Sequence, residues 1–366
     1  MPFEVVTGST QEDWERLREK IARCQVSGGV DMGIPPGMAA GYVNYDGSFC
    51  FGFYDDLLVH DHADQSWHGS GSLASRMITP GREAAPESPA FSSKTTREDY
   101  CRMVSRAKEY IAAGDIYQVN LSHCFTAPWS GDALRFYEAL RHYSPAPYAA
   151  YLDIGGRSVL SSSPERFLQM SGRSISTSPI KGTRPRHADP DADELSAYDL
   201  ITSPKEIAEL VMITDLERND LGRVCDYGTV RVRELLKLER YEQVFHLVST
   251  VEGQLRGGID HATALQSCFP GGSITGAPKK RAREIIAELE LEPRGLYTGA
   301  IGYFGFNGES QFNIAIRTIV IEEGVAHFHT GAGIVADSVP EKEYEETLHK
   351  AAGILMAAAR MGELDM

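Results

Sequence analysis

Strand-like segments come in runs along this chain, and helices fall between the runs without a regular strand–helix alternation. Tyr117, Val119, Leu121, His123 and Phe125 alternate with Gln118, Asn120 and Ser122, which reads as a half-buried strand. Further strands are predicted over 148–153, 158–161, 300–304, 312–321 and 326–329, and two earlier ones over 41–46 and 52–59 flank a turn. Tyr100, Met103, Val104, Ala107, Tyr110 and Ile111 fall at helical spacing. Thr95 and Thr96 with Glu98 and Asp99 can cap the start of that helix, and Gly114 can close it. Other helices are predicted over 132–141, 204–216, 278–289 and 341–361. A doubly wound parallel sheet needs strict alternation, so the pattern predicts an α+β fold with large antiparallel sheets, a sandwich flanked by helices.

A chain of 366 residues can form two domains or one large one. Residues 62–94 are rich in Gly, Ser, Pro, His and Asp and read as a polar connection. It would end a short N-terminal region (1–94) that contributes strands and precede the main domain (95–366). Residues 186–195 read as a polar loop. Six cysteines are scattered with no CxxC pair, the first residues lack a signal-peptide pattern, and no apolar run nears the roughly 20 residues of a membrane span. Reduced thiols in a cytoplasm are the expectation. With 51 acidic against 36 basic residues, the formal charge is −15, so neither nucleic acid nor membrane is an expected partner. An anionic ligand would depend on a few local cations (Lys181, Arg317 and Lys350 are the candidates), on backbone N–H groups or on a metal.

Chemistry-bearing residues stand out against that background. Lys181 lies between the β-like 174–177 and a Gly182-Thr183 turn, where its amine is either an anion-binding charge or a nucleophile. Glu209 sits in Ile207-Ala208-Glu209-Leu210-Val211-Met212-Ile213, a helix apolar nearly all round, so its carboxylate must be paired, protonated or metal-bound. Glu206 follows Ser203-Pro204, the start signal of the same helix, and is either a capping residue or a ligand. Acidic residues 341–346, with Glu343 and Glu346, open the last helix, where carboxylates also serve the helix dipole. Lys350 is either the i,i+4 partner of Glu346 or a substrate contact. Arg317, read as part of a 312–321 strand, can grip a carboxylate bidentately. Gly331, Gly333 and the glycine-flanked Ser273 can offer backbone N–H groups, and Glu165 sits in a proline turn.

Taken together, Pro179–Arg186, Phe269–Lys279, Ala315–Thr318 and Gly331–Val335 leading into Glu343–Thr347 resemble the chorismate-utilising enzyme family, over a match from about Thr96 to the C-terminus. The resemblance implies an anthranilate synthase component I-like fold. It makes Glu209 and Glu346 ligands of Mg²⁺, with Glu206 and Glu343 holding the metal's waters. It makes Glu165 the acid that protonates the departing 4-hydroxyl, and Arg317, Tyr297, Lys350, Ser273, Gly331 and Gly333 a cradle for chorismate with Gly182 and Thr183. His246 matches an active-site histidine of undefined role. Water-adding members carry a lysine base where this chain has Gln118, so addition of ammonia is favoured. Lys181, with the Gly-Gly-Ser-Ile-Thr-Gly loop, resembles the branch that makes 4-amino-4-deoxychorismate on the way to p-aminobenzoate and folate. Lys181 would attack C2 and direct ammonia to C4. Branches forming anthranilate or 2-amino-2-deoxyisochorismate are the enzymatic alternatives, and a non-catalytic chorismate-binding subunit is the alternative of another class. The second of these does not account for Glu165, Lys181, Glu209 and Glu346 together. No Gly-x-Cys-x-Gly elbow is present, which implies ammonia from a separate glutaminase subunit, and no Leu-Leu-Glu-Ser-like segment suggests tryptophan binding.

Overall fold

The computed structural model describes residues 1–26, 34–73 and 88–365. Among these, two large antiparallel sheets pack on each other with helices outside them. The larger sheet has ten strands: β1 (Glu4–Gly8), β2 (Met38–Val43), β3 (Phe49–Tyr54), β10 (Arg166–Ser171), β11 (Ser174–Ser178), β12 (Ile180–Pro185), β13 (Arg231–Arg240), β14 (Val244–Gln254), β16 (Ala300–Gly305) and β17 (Glu309–Ile314). The second has seven: β6 (Ser92–Ser93), β7 (Gln118–Pro128), β8 (Tyr148–Ile154), β9 (Arg157–Ser163), β15 (Gly276–Ala277), β18 (Thr318–Glu322) and β19 (Val325–Ile334). A hairpin, β4 (Leu57–Asp61) with β5 (Ser66–Ser70), stands apart. The helices are α1 (Gln11–Cys24), α2 (Arg97–Ala112), α3 (Ala133–Tyr143), α4 (Pro190–Ile201), α5 (Pro204–Gly222), α6 (His261–Cys268), α7 (Lys279–Leu289) and α8 (Pro340–Ala359).

This is the α+β architecture that the pattern predicts, and every strand pairing is antiparallel. Residues 1–94 feed strands into the main sheet, where β2 pairs with β16 from the far end of the chain. Tyr42, Cys50 and Ile301 of one sheet meet Ile154, Val159 and Val320 of the other in a shared apolar layer. On the outer face of the smaller sheet, α2 and α7 pack Tyr100, Val104, Ala282 and Ile285 against Val119, Leu121 and Ile334. Helices α3 and α8 cover Phe125, Ile319 and Phe328 on that same face, and Gln118, Ser122 and Cys124 are buried on the opposite one, so β7 is buried on both faces rather than one.

Five local readings change. The 312–321 stretch is two strands, because the chain leaves the larger sheet after Ile314 and enters the smaller one at Thr318. Arg317 occupies that crossing at φ +48°, a left-handed conformation that costs a non-glycine residue about 1–3 kcal/mol. Residues 52–59 likewise divide between β3 and β4, and part of the polar 62–94 connection forms β5; residues 74–87 lie outside the described residues. The 186–195 segment contains the start of α4, where the Asp189 side chain accepts the Asp191 N–H and Pro190 takes the first turn. α5 is not apolar all round: Leu210, Ile213, Thr214, Glu217, Asp220 and Leu221 are buried, whereas Val211 is exposed.

Candidate active site

Lys181 and Glu165 meet across one residue. The Lys181 Nζ donates to the Ser273 carbonyl at 3.3 Å, and the Ser273 Oγ donates to Glu165 Oε1 at 2.8 Å. Lys181 is aimed there by a bulge: β12 pairs with β14, and the register slips between Lys181 and Thr183 around Gly182 at φ +73°. A Cβ on Gly182 would lie 2.6 Å from Leu200 and 3.1 Å from Glu206 Oε2, so the tight passage requires glycine. Glu165 is buried, and that burial pushes its carboxyl above its ordinary value, while Lys181 and the Ser273 hydroxyl pull it back.

Glu209 lies nearby, on α5. Burial raises its carboxyl, opposed by Lys181 and Lys205 and reinforced by Glu206 and Glu346. Glu206 is not closing a capping box: the Ser203 hydroxyl accepts the Glu206 N–H, but the Glu206 carboxylate turns to Arg184 at 3.7 Å. On α8, Glu343 is buried and raised by that burial. Burial also raises Glu346, but Lys350, 2.7 Å away, together with Lys205 and Lys181 leaves Glu346 below its ordinary value. Glu209 Oε1 and Glu343 Oε2 are buried with no hydrogen-bond partner. Among the described residues no three Asp, Glu, His or Cys side chains form a ready-made metal cage. An all-oxygen set with orphaned carboxylate atoms suits a hard cation that keeps several waters, and not a tetrahedral or soft one.

The opposite wall comes from β19, α8 and the crossing at Arg317. Lys350 Nζ donates to the Gly331 carbonyl at 3.0 Å. A Cβ on Gly331 would sit 2.8 Å from the Tyr297 hydroxyl, and one on Gly333 only 2.5 Å from Gln118 Nε2, so glycine at both positions is what lets those side chains pack against the strand. Tyr297 stacks on His329 with centroids 5.4 Å apart. Arg317 is largely buried and lowered by that burial, with no carboxylate partner in ion-pair range among the described residues. Such a cation, already desolvated, is an anion receptor. His246 is buried beside it; burial and the Arg317 charge hold the imidazole down at about 4, so it is neutral and shares a 3.0 Å hydrogen bond with the Thr183 hydroxyl.

Sequence reasoning missed the buried charges around the Ser273 turn. Glu217 and Asp220 lie on the buried face of α5, with Lys279 paired to Asp220, and Arg294 pairs with Glu290 at 2.7 Å. Their signal was present: Glu217 and Asp220 share the spacing of Leu210, Ile213 and Leu221, and a carboxylate on an apolar stripe is a buried one.

The fold is that of anthranilate synthase component I. Anthranilate synthase component I from Streptococcus pneumoniae TIGR4 superposes with a TM-score of 0.86 at 28% identity, covering 97% of this chain and 90% of that one. A 2,3-dihydroxybenzoate-specific isochorismate synthase from Bacillus anthracis shares the fold with a TM-score of 0.76 at 22% identity, covering 98% and 92%. The chain belongs to the chorismate binding enzyme family, whose pattern matches residues 13–356. It is 44% identical over 319 residues to aminodeoxychorismate synthase component 1 of Bacillus subtilis, covering 81% of this chain and 68% of that protein. It is 47% identical over 342 residues to anthranilate synthase component 1 of Streptomyces coelicolor, covering 84% and 66%. The chain thus spans about two-thirds of the length of these relatives. No helix among the described residues is long and apolar enough to cross a membrane.

Proposed function

We propose that this protein converts chorismate and ammonia to 4-amino-4-deoxychorismate, with ammonia delivered by a separate glutaminase subunit. The observation that carries the reading is the pairing of the Lys181 amine with the buried Glu165 carboxyl across Ser273. Arg317 and Tyr297 bind a substrate carboxylate, and Gly331 lets the Tyr297 hydroxyl lie close against the β19 backbone. Glu209 and Glu346, with Glu206 and Glu343 through water, would hold Mg²⁺, which when bound supplies charge that draws electron density toward the ring carboxylate.

Lys181, as the free amine, attacks C2 and forms a C–N bond. The diene electrons shift toward C4, the C4–O bond breaks, and Glu165 gives its proton to the departing oxygen, which leaves as water. Ammonia then attacks C4, the double bonds return and the C2–N bond breaks, freeing Lys181 with the enolpyruvyl ether intact. Glu165, now a carboxylate, accepts a proton from the incoming nitrogen. Gln118, buried where a water-activating lysine would stand, cannot deprotonate water. A second reading, formation of anthranilate, is supported by the 47% identity to an anthranilate synthase component.

Product analysis separates the two. Chorismate, Mg²⁺ and an ammonium salt should give 4-amino-4-deoxychorismate without pyruvate release; anthranilate plus pyruvate would refute the assignment. Lys181→Ala should lose more than about 100-fold in amination rate, because C2 is then unblocked and nothing expels the 4-hydroxyl. A substrate-derived mass on the Lys181 peptide after quenching is expected from the wild type, and a near-normal rate in the variant would eliminate the covalent step.

A further inference from the structure

The turn Gly272–Ile274 is held from both sides by buried charges. On one side, the Gly272 N–H donates to Glu217 Oε1 at 2.8 Å. On the other, Arg294 Nη1 donates to the Ile274 carbonyl at 3.1 Å. Glu217 and Arg294 are 2% and 4% exposed, so neither bond competes with bulk water. Between these two points lies Ser273, whose hydroxyl reaches Glu165 and whose carbonyl receives Lys181. We infer that Glu217 and Arg294 are positioning residues that clamp this turn and thereby set the separation of Lys181 and Glu165.

Each jaw has its own anchor. Asp220, one turn along α5 from Glu217, is paired with Lys279, and Lys279 also donates to the Pro270 carbonyl at 2.7 Å and the Cys268 carbonyl at 3.2 Å, just ahead of the turn. Arg294 is locked by Glu290 at 2.7 and 2.8 Å, by the Asn120 carbonyl at 2.7 Å and by the Thr298 hydroxyl at 3.0 Å. The turn has no slack of its own, since a Cβ on Gly272 would lie 2.6 Å from Leu216 and 3.0 Å from Glu217 Oε1. Burying a carboxylate and a guanidinium against a three-residue turn is costly unless geometry is the return. A displacement of about 1 Å at Ser273 would separate acid from nucleophile, and misplacement on that scale costs roughly 100-fold in rate.

The inference rests on the reading of Lys181 and Glu165 given above, and its test has arms that do not depend on the product. Glu217→Gln keeps an acceptor oxygen for the Gly272 N–H, whereas Glu217→Leu removes it. Steady-state rates with chorismate and ammonium are measured for both, together with hydrogen exchange of the Gly272 amide and labelling of Lys181 by trinitrobenzenesulfonate. In Glu217→Leu, kcat should fall about 30-fold with KM changed less than about fivefold, exchange should rise more than about tenfold, and Lys181 labelling should change with it. Glu217→Gln should stay within about threefold of wild type in all three. A Leu variant with wild-type kcat, or a Gln variant as impaired as Leu, overturns the clamp. If the Leu variant fails to fold, Arg294→Lys, which retains a charge for Glu290 but not the fork to Ile274, must show the same fall in kcat; unchanged kcat overturns the inference. Should the wild type make a different product, the assigned function fails while the kcat comparison on that product still decides the clamp. If it turns nothing over, exchange and labelling decide it, and no change in either overturns it.

Discussion

Helix α5 carries two pairs of acids with opposite fates. Glu206 and Glu209 lie in its first half, and Glu209 keeps 14% side-chain exposure, its buried Oε1 having no hydrogen-bond partner among the described residues and only a 4.0 Å ion pair to Lys205. Glu217 and Asp220, beginning about 12 Å further along the axis, are almost fully buried, and both are satisfied: Glu217 by the Gly272 N–H, Asp220 by Lys279. Glu209, Glu217 and Asp220 are pushed toward the protonated form by burial, Glu217 further by the Asp220 charge. The difference is what completes them. A buried acid whose partners are all protein groups holds structure, and one left with an empty lone pair beside other carboxylates is placed to receive something from outside.

The comparison breaks most sharply if the two pairs respond alike to truncation. Glu209→Ala, like Glu346→Ala, should abolish Mg²⁺-dependent turnover, a loss of about 1,000-fold or more. The same change should move stability by less than about 1 kcal/mol, since it removes a carboxylate that burial already disfavours. Parallel rate and thermal-melt measurements check this, and full activity of Glu209→Ala in EDTA would sink it. Lys279→Met should do the reverse in kind and lower folding stability by about 3 kcal/mol, because Asp220 is left unpaired beside Glu217. Asp220 is raised by burial, so in that variant its neutral form is the tolerated one. The loss should therefore shrink as pH falls and grow as pH rises through the folded-state value, readable by denaturant titration at pH 5 and 8.

The neutral histidines sharpen the contrast by carrying the opposite sign. Burial holds His123 and His246 at about 4 and His329 at about 3, against 6.5 when unfolded. The unfolded chain binds more protons between those values, so these three residues cost stability as pH falls from 6.5 toward 4, while Glu217, raised to about 7, gains over the same fall and Asp220 carries the same sign. His329→Phe, which keeps the stack on Tyr297, should lose less in melting temperature between pH 7 and pH 5 than the wild type. An unchanged pH slope would remove His329 from the account. The smallest effect belongs to Glu206→Ala. Its half-exposed ion pair to Arg184 is worth no more than about 1 kcal/mol, and its carboxylate makes no cap, so a melt should register little while activity drops moderately.

Much of the site was legible because its residues announce themselves locally. Lys181 beside Gly182, Glu209 inside an apolar helix and Gly331 with Gly333 before an acidic helix start each show the chemistry in a few adjacent residues. Glu217 and Asp220 were missed because the helix was expected to stop at residue 216, one residue short of them, and Lys279 and Arg294 because their meaning depends on partners on other elements. Helices α1, α4 and α6 were not read, whereas α2, α3, α5, α7 and α8 and about half of the strands followed from periodicity. The 312–321 stretch did not, since uninterrupted apolar character hid a crossing between two sheets. Segment 186–195 looked like a loop because its polarity is that of a helix start, with Asp189 and Pro190 as the only cue.

The sequence by itself determined that this protein is an α+β chain of antiparallel sheets, because alternation and the absence of a strand–helix rhythm are local properties. It also determined which side chains could carry a nucleophile, an acid and a set of carboxylate ligands. Only the tertiary structure decided that Lys181 and Glu165 share Ser273, that Arg317 stands without an ion-pair partner among the described residues where the chain passes between sheets, and that Glu217 and Asp220 of α5 are sealed while Glu209 keeps an unbonded oxygen. The physical reason is that burial and partnership are properties of pairs brought together across long stretches of chain. A lone residue type sets what it can do, and desolvation and neighbouring charge, fixed by packing, set which of those things it does.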